Sequence, residues 1–359
     1  MILVDMHFYL HRYVAVVEKE EFAELKKDHK NGNERQPTRN ELENFQKTFL
    51  HFIINDLLWL KKQHKNKYGD LVLTFDSSPS WRKEYYNKYK SNRETKKRNS
   101  YEQIIRKMIP FMKKAILNIL SDTNIRVMNV EKCEGDDIIA VLANSFRTDH
   151  IIIAADQDFK QILSPNIKMY NPVTRKTIPK PTKRELEIWK ITNIIAGQRK
   201  DGIPPIVHNC KMSKEFIKYM NDEHGIDISV IDMTDIETNY KHFMQEYENK
   251  MNQIEEQLIQ EGKKKKRKTW SAYDNKPFGE VAAMKFNKEL ETMLENPCYK
   301  KNYERNKKLL MLDMIPEEIE KSIMKEYDNQ SNKFYDEVAL INTLQKYKLY
   351  ELAEKIDWF

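Results

Sequence analysis

An α/β fold with a mostly parallel central sheet and flanking helices is the class this sequence predicts. Two observations carry the reading. Short β-branched runs alternate with longer helical patterns from residue 1 to about 165, the order that builds a parallel sheet covered on both faces. Acidic residues also stand at the ends of apolar runs. Asp5 follows Ile2-Leu3-Val4, Asp76 follows Leu71-Val72-Leu73-Thr74-Phe75, and Asp156 and Asp158 follow Ile151-Ile152-Ile153-Ala154-Ala155. Glu134, Asp136 and Asp137 open the helix-like run Ile138–Leu142. A carboxylate where a buried strand emerges sits at the C-terminal rim of a parallel sheet, the crevice where such folds bind ligands.

Strands are expected at Ile2–Asp5, Leu71–Asp76, Ile125–Val130, Ile151–Ala155 and Ile167–Tyr170, with helices at Glu41–Lys62, Tyr101–Leu120 and Asp136–Phe146. The polar stretch from Glu18 to Asn40 reads as a mobile connection, and Pro172, Pro179 and Pro181 mark a second irregular stretch. Glu185–Ala196 carries Leu186, Trp189, Ile191, Ile194 and Ile195 and meets a stop signal at Gly197. Met244, Tyr247, Met251, Ile254 and Leu258 recur at three- and four-residue spacing, which predicts one amphipathic helix. The run Lys263–Lys268 behind it reads as a nuclear localisation signal, a phosphate-binding patch or a solvated loop. Residues 317–359 read as two or three helices packing back on the body. The tail Ile356-Asp357-Trp358-Phe359 either packs there too or anchors a partner such as a replication clamp.

Composition narrows the class. With 359 residues, 40% hydrophobic and 33% charged, the chain can bury a real core under a heavily charged surface. A net charge of +7 hints at an anionic partner. Cys133, Cys210 and Cys298 are few and far apart, so neither a disulfide framework nor a zinc site is expected. The start Met1-Ile2-Leu3-Val4-Asp5 does not read as a signal peptide, and no stretch reaches transmembrane length without charge. The expectation is a cytoplasmic monomer with no membrane partner.

Carboxylates converging on one rim repel each other unless a hard cation sits among them. An oxygen-only donor set, without His or Cys in these motifs, favours magnesium, with manganese as a substitute. Beyond Asp76, Arg82, Lys83, Lys88, Lys90, Arg93, Lys96, Lys97 and Arg98 are interleaved with Trp81, Tyr85, Tyr86 and Tyr89. Cations neutralise phosphates and rings stack on unpaired bases, so the mixture suits frayed or single-stranded nucleic acid. The other reading is a solvated helix whose tyrosines face the core. The segment begins five residues after Asp76, beside the expected metal rim, and that favours the first.

These residues resemble the motifs of the structure-specific 5′-nucleases, the flap endonuclease family. Cys133-Glu134-Gly135-Asp136-Asp137 is similar to its Glu-Ala-Asp-Asp motif, and Ala155–Leu163 to its Ser-x-Asp-x-Asp-x-x-Gln-Leu motif. Tyr89-Lys90-Ser91-Asn92-Arg93 looks like the base of its helical arch, and Gly197–Pro204 like its Gly-Asp-x-x-Asp-Asn-Ile-Pro segment. A stretch from Asn302 to Pro316 is similar to bacteriophage members.

The resemblance implies a PIN-like nuclease domain over 1–180 with an arch at about 81–115. It implies a helical part over 181–359 with a helix–three-turn–helix duplex-binding segment and an insertion at about 210–290. It also implies two magnesium ions held by Asp5, Asp76, Glu134, Asp136, Asp137, Asp156, Asp158 and Asp201. Asp5, Asp76, Asp137 and Asp156 would ligate directly, and the others partly through water. Lys90 and Arg93 would polarise the scissile phosphate. Tyr89 would stack on a terminal base, and Arg82, Lys83, Arg199 and Lys200 would hold phosphates. The implied reaction is removal of RNA primers and 5′ flaps from RNA–DNA and DNA duplexes, with a single-strand-binding protein or clamp as partner. The alternatives are a noncatalytic nucleic-acid-binding relative and an RNA-only nuclease of related fold. Gln198 departs from the pattern, standing where the family has Asp, and Pro204-Pro205-Ile206-Val207 lacks the glycines that wrap a monovalent cation.

Overall fold

The strands Ile2–Asp5, Leu71–Thr74 and His150–Ile153 are buried throughout and read as near-unbroken apolar runs, because both faces of the sheet are covered there. The computed structural model describes residues 1–94, 99–231, 236, 238–264, 268, 270–273, 284 and 289–359. The chain divides into two compact units, Met1–Leu186 with Met311–Phe359, and Glu187–Leu310.

The first unit begins with β1 (Ile2–Asp5), α1 (Met6–Glu21), α2 (Ala23–Lys30), α3 (Arg39–Tyr68) and β2 (Leu71–Thr74). It continues with α4 (Trp81–Tyr85), α5 (Ser91–Glu94), α6 (Ser100–Leu120), β3 (Arg126–Met128) and α7 (Gly135–Ser145). β4 (His150–Ile153), β5 (Ile167–Asn171) and β6 (Lys176–Ile178) complete the sheet. Its order is β3-β2-β1-β4-β5-β6. All neighbours are parallel except β5 and β6. Ile2 lies opposite both Leu71 and Ile151. The chain leaves β1 towards β2 and β3, then resumes on its other side at β4, so the crevice opens at the C-terminal ends of β1 and β4.

Alternation divides the core. Ile2, Val4, Leu71, Leu73, Ile151 and Ile153 join α1, α3 and α6 on one face. Leu3, Val72, Met128 and Ile152 join α7 on the other. The C-terminal segment closes both faces: Leu340, Leu344, Leu352 and Phe359 complete the first, and Leu312, Ile315, Ile319 and Ile323 the second. The sequence reading had placed these residues with the helical second part. The tail packs on its own body. Phe359 is buried, its carbonyl accepts from Lys61 Nζ, and Lys62 lies 4.0 Å from the centre of the Trp358 ring.

Two other expectations change. The polar stretch after Glu18 is largely helical, because Val17, Phe22 and Leu25 give it a buried stripe that charge content obscured. The proline-marked stretch contains β6, paired antiparallel with β5.

The second unit contains the later part of α8 (Lys183–Ala196), then α9 (Lys214–His224) and helices at Lys241–Gln260 and Pro297–Leu310. The 241–260 helix is the single amphipathic helix expected. With α9 it encloses a small core of Phe216, Tyr219, Met220, Met244 and Tyr247. Cys210 and Cys298 form a disulfide with Cα atoms 5.7 Å apart, contrary to expectation. A sequence separation of 88 offers no spacing signal. Part of the basic run is anchored. Lys264 Nζ lies 2.6 Å from the buried Glu255 carboxylate, which also accepts from the Lys268 backbone N–H and Trp270 Nε1. Residues 265–267 lie outside the described residues, as do Lys96, Lys97 and Arg98 of the arch segment.

Candidate nuclease site

β1 delivers Asp5 to the rim and α1 starts immediately behind it. Asp5 is the N-cap, its Oδ1 accepting from the Phe8 N–H at 3.2 Å. Asp76 emerges beyond β2 and accepts from the Gly135 N–H at 2.8 Å. A Cβ at Gly135 would stand 3.2 Å from Thr74 Oγ1 and 3.3 Å from Asp76 Oδ1, so glycine lets α7 begin against the end of β2. Beyond β4, Asp156 caps a 3-10 turn through the Asp158 N–H, and Gln161 in that turn accepts from the Leu312 N–H.

Electrostatics show which carboxylates share space. Burial pushes the Asp5 carboxyl up to about 6; the Phe8 N–H and His7 oppose this, while Asp76 and Asp156 add to it. Asp136 is raised well above the usual range, by burial and then by Asp5, Asp156, Asp76 and Glu134. Asp76 goes the other way. Burial would raise it, but the His7 hydrogen bond and charge, the Gly135 N–H and Lys90 hold it below the usual range. Asp5, Asp76, Asp136 and Asp156 thus act on one another across one crevice. Asp158 is partly buried beside them in sequence, with its N–H on Asp156.

Glu134 and Asp137 have different company. Asp137 is buried and lies 2.8 Å from Arg82 Nη1, which is itself buried; Trp81 Nε1 and the Glu134 N–H also donate to Asp137. Burial raises Asp137 despite Arg82. Glu134 accepts from Lys90 Nζ at 2.7 Å and from the Tyr89 hydroxyl at 3.0 Å. Burial would raise Glu134, but Lys90 and Arg82 keep it low. Lys90 holds φ 55, a left-handed conformation that costs a non-glycine residue about 1–3 kcal/mol.

Several expectations are thereby corrected. Arg82 is an internal counter-ion of Asp137 rather than a surface phosphate ligand. Tyr89 is buried beneath Glu134 rather than offered for stacking. Asp137, expected to ligate directly, is held by Arg82 and Trp81, whereas its neighbour Asp136 joins the repelling set. Lys83 is half-buried and Arg93 exposed, and Arg93 is close enough to act on His11. Asp201 is buried in the second unit on the 3-10 turn Arg199–Asp201, whose Arg199 and Lys200 are exposed.

The sequence reads His7, on an apolar stretch, as a core or surface histidine, and it passes over Lys113. His7 Nδ1 lies 3.1 Å from Asp76 Oδ2, and that hydrogen bond raises its pKa against the opposing effect of burial. His11, one turn on, has its ring centre 4.5 Å from that of His7. Burial, then His7, lowers His11 to about 4. Lys113 Nζ donates to the Asp76 carbonyl at 3.0 Å. The available signal for His7 was position, two residues past a strand-end Asp in the first turn of a helix that starts at the rim.

A hard cation fits the donor chemistry, because Asp5 and Asp136 are raised partly by neighbouring carboxylates that an ion would neutralise. Among the described residues, no group of three or more His, Cys, Asp or Glu is already drawn together to hold one.

Residues 1–190 match the 5'-3' exonuclease N-terminal resolvase-like domain. The chain belongs to this family. That agrees with the motif resemblance. Over 169 residues this exonuclease-family chain is 31% identical to a ribonuclease H of Enterobacteria phage T4, spanning 44% of this chain and 53% of that protein. Over 205 residues it is 26% identical to flap endonuclease Xni of Colwellia psychrerythraea, spanning 54% of this chain and 65% of the relative. The chain therefore spans between half and two thirds of the length of these curated relatives. A solved bacteriophage T5 flap endonuclease complex with DNA and metal ions superposes with a TM-score of 0.49 at 14% identity, covering 92% of this chain and 98% of that one.

In the second unit, the segment expected to grip duplex is a tightly fastened turn. Gly197 has φ 67, and a Cβ there would come within 2.4 Å of the Ile203 carbonyl, so only glycine fits. Asn306, fully buried, donates to the Ile194 and Pro204 carbonyls, and Asn302 to those of Ile206 and His208. These side-chain amides occupy carbonyls in the stretch that lacks the glycines needed to wrap a monovalent cation.

No helix among the described residues is long and apolar enough to cross a membrane.

Proposed function

We propose that this protein is a metal-dependent 5′→3′ exonuclease and flap endonuclease that hydrolyses phosphodiester bonds in RNA–DNA and DNA duplexes. The observation that carries the reading is the mutual repulsion of Asp5, Asp76, Asp136 and Asp156 at the β1/β4 crevice, with Lys90 beside Asp76. The family membership supports it, as do the names of the relatives, a ribonuclease H and a flap endonuclease.

Asp5, Asp76, Asp136 and Asp156 are the residues that would hold magnesium, with Glu134 and Asp158 at the margin. When bound, the ions supply an ionised water at neutral pH and neutralise charge on the phosphate. The chain's own groups do the rest. Lys90 is poised to exchange Glu134 for a phosphate oxygen, and Arg93 adds a second cation from the exposed side of the same segment. His7 fixes the orientation of one Asp76 oxygen, and Lys113 fixes the backbone beneath it. In the second unit, Arg199 and Lys200 hold duplex phosphates without reading sequence.

The test uses a 5′-flapped and a nicked duplex, each labelled at both ends, with and without magnesium, beside Asp156→Asn. Metal-dependent release from the 5′ side, lost in the variant, is the expected result. Tight binding without cleavage in magnesium or manganese would replace this reading with that of a noncatalytic binding protein.

A further inference from the structure

α6 presents two different sides. Ile104, Met108, Met112 and Ile116 are buried in the core. Lys107, Phe111, Lys114 and Asn118 recur at three- and four-residue spacing and are exposed. That spacing puts them in one line along the helix, roughly 16 Å from first to last. The line runs into an open cleft of about 500 Å³ lined by Gln46, Phe111, Lys114, Asn118, Lys346 and Tyr347, within the size range of small-ligand sites.

The lining has a definite chemistry. Phe111 keeps 47% of its surface exposed, and Tyr347 offers a second ring. Neither Lys114 nor Lys346 has an acidic partner among the described residues. Gln46 is half-buried, with no hydrogen bond to its amide among the described residues. The Asn118 side-chain amide makes only a long 3.4 Å bond to the Tyr347 hydroxyl among the described residues. The nearby acids are engaged elsewhere: Glu43 by Arg39 and Lys348, and Asp122 by Ser121 and Thr343. Rings, amides that can hydrogen-bond a base edge, and uncompensated ammonium groups together fit a nucleotide. The rings can stack only on a base that is not paired.

We propose that this cleft binds an unpaired nucleotide of a single strand, with Lys107 and Lys114 following its backbone. This rests on the nuclease reading for the identity of the strand, namely the unpaired 5′ end displaced at the rim. α6 links the two places directly. Lys113 is fastened to the Asp76 carbonyl, and Lys114, about 100° further round the helix, lines the cleft.

The test separates the two readings. Binding of a labelled oligothymidylate to the full chain carrying Asp156→Asn is followed by anisotropy, with and without Lys114→Glu and Lys346→Glu together. Cleavage of duplexes with one-nucleotide and twelve-nucleotide 5′ flaps is then compared with Asp156 intact. The charge reversals are expected to weaken oligothymidylate binding about tenfold or more. They are also expected to raise KM for the long flap alone, leaving kcat and the short flap unchanged. Phe111→Ala is expected to weaken binding about fivefold, and Phe111→Trp to restore it. Unchanged oligothymidylate binding, or an equal KM change for both flap lengths, overturns the proposal. If the parent chain cuts neither flap, the nuclease reading fails, and the binding comparison still decides the cleft.

Discussion

Asp5 and Asp136 share a rim with Glu134 and Asp137, yet the two pairs have opposite surroundings. The first pair is pushed towards protonation by burial and then by the carboxylates around it. The second pair is met by Arg82, Lys90, Tyr89 and Trp81. Both pairs are acidic and largely buried; what separates them is whether the protein supplies the counter-charge. Where it does, the carboxylate builds the base of α7. Where it does not, the carboxylate is left for something that arrives later.

The comparison breaks most visibly at Arg82. Removing one partner of a buried ion pair leaves the other charge uncompensated, at a cost of about 3–5 kcal/mol. Arg82→Met is therefore expected to lose that much stability in urea denaturation. A loss under about 1 kcal/mol would mean that Asp137 does not depend on Arg82.

The unneutralised pair makes a prediction about pH. Asp5 is held up at about 6 in the folded protein, against an ordinary value near 4 in the unfolded chain. As pH rises, the unfolded chain gives up its proton first. Metal-free stability therefore falls between about pH 4 and about pH 6. Asp5→Asn is expected to flatten that part of the thermal-midpoint profile, and saturating magnesium to shrink the decline. A parent profile already flat across this window would contradict the raised value.

The smallest effect concerns Tyr89. Tyr89→Phe removes its bond to Glu134 and keeps the ring, so stability is expected to drop by about 1–3 kcal/mol. KM on a flapped duplex is expected to stay within about twofold, because a buried ring gives up no stacking. A large KM increase without loss of stability would return Tyr89 to the substrate.

The strand-end acids were legible because position alone defines them: an apolar run fixes where a strand ends, and the next carboxylate falls on the rim. The roles of Asp136 and Asp137 were not legible in the same way. Neighbours on a helix point about 100° apart, and sequence does not say which of them faces the crevice. Arg82 was misread for a related reason. A run of cations looks like a surface until one of them proves to have a buried carboxylate waiting 55 residues further along the chain. Glu255 is the mirror case, an acid on an amphipathic helix drawn inside by Lys264 and Trp270. α2 was hidden because Phe22 and Leu25 are too few to register as a period.

The return of residues 311–359 to the first unit has a consequence for synthesis. A ribosome finishes the last strand of the sheet well before residue 312, and at a rate of roughly 5–20 residues per second the intervening segment takes from about 7 to about 27 seconds. Throughout that interval both faces of the nascent sheet lack their final apolar cover. The half-made first unit then exposes Ile, Leu and Val surface on both sides, the condition under which emerging chains recruit chaperones or stick to one another.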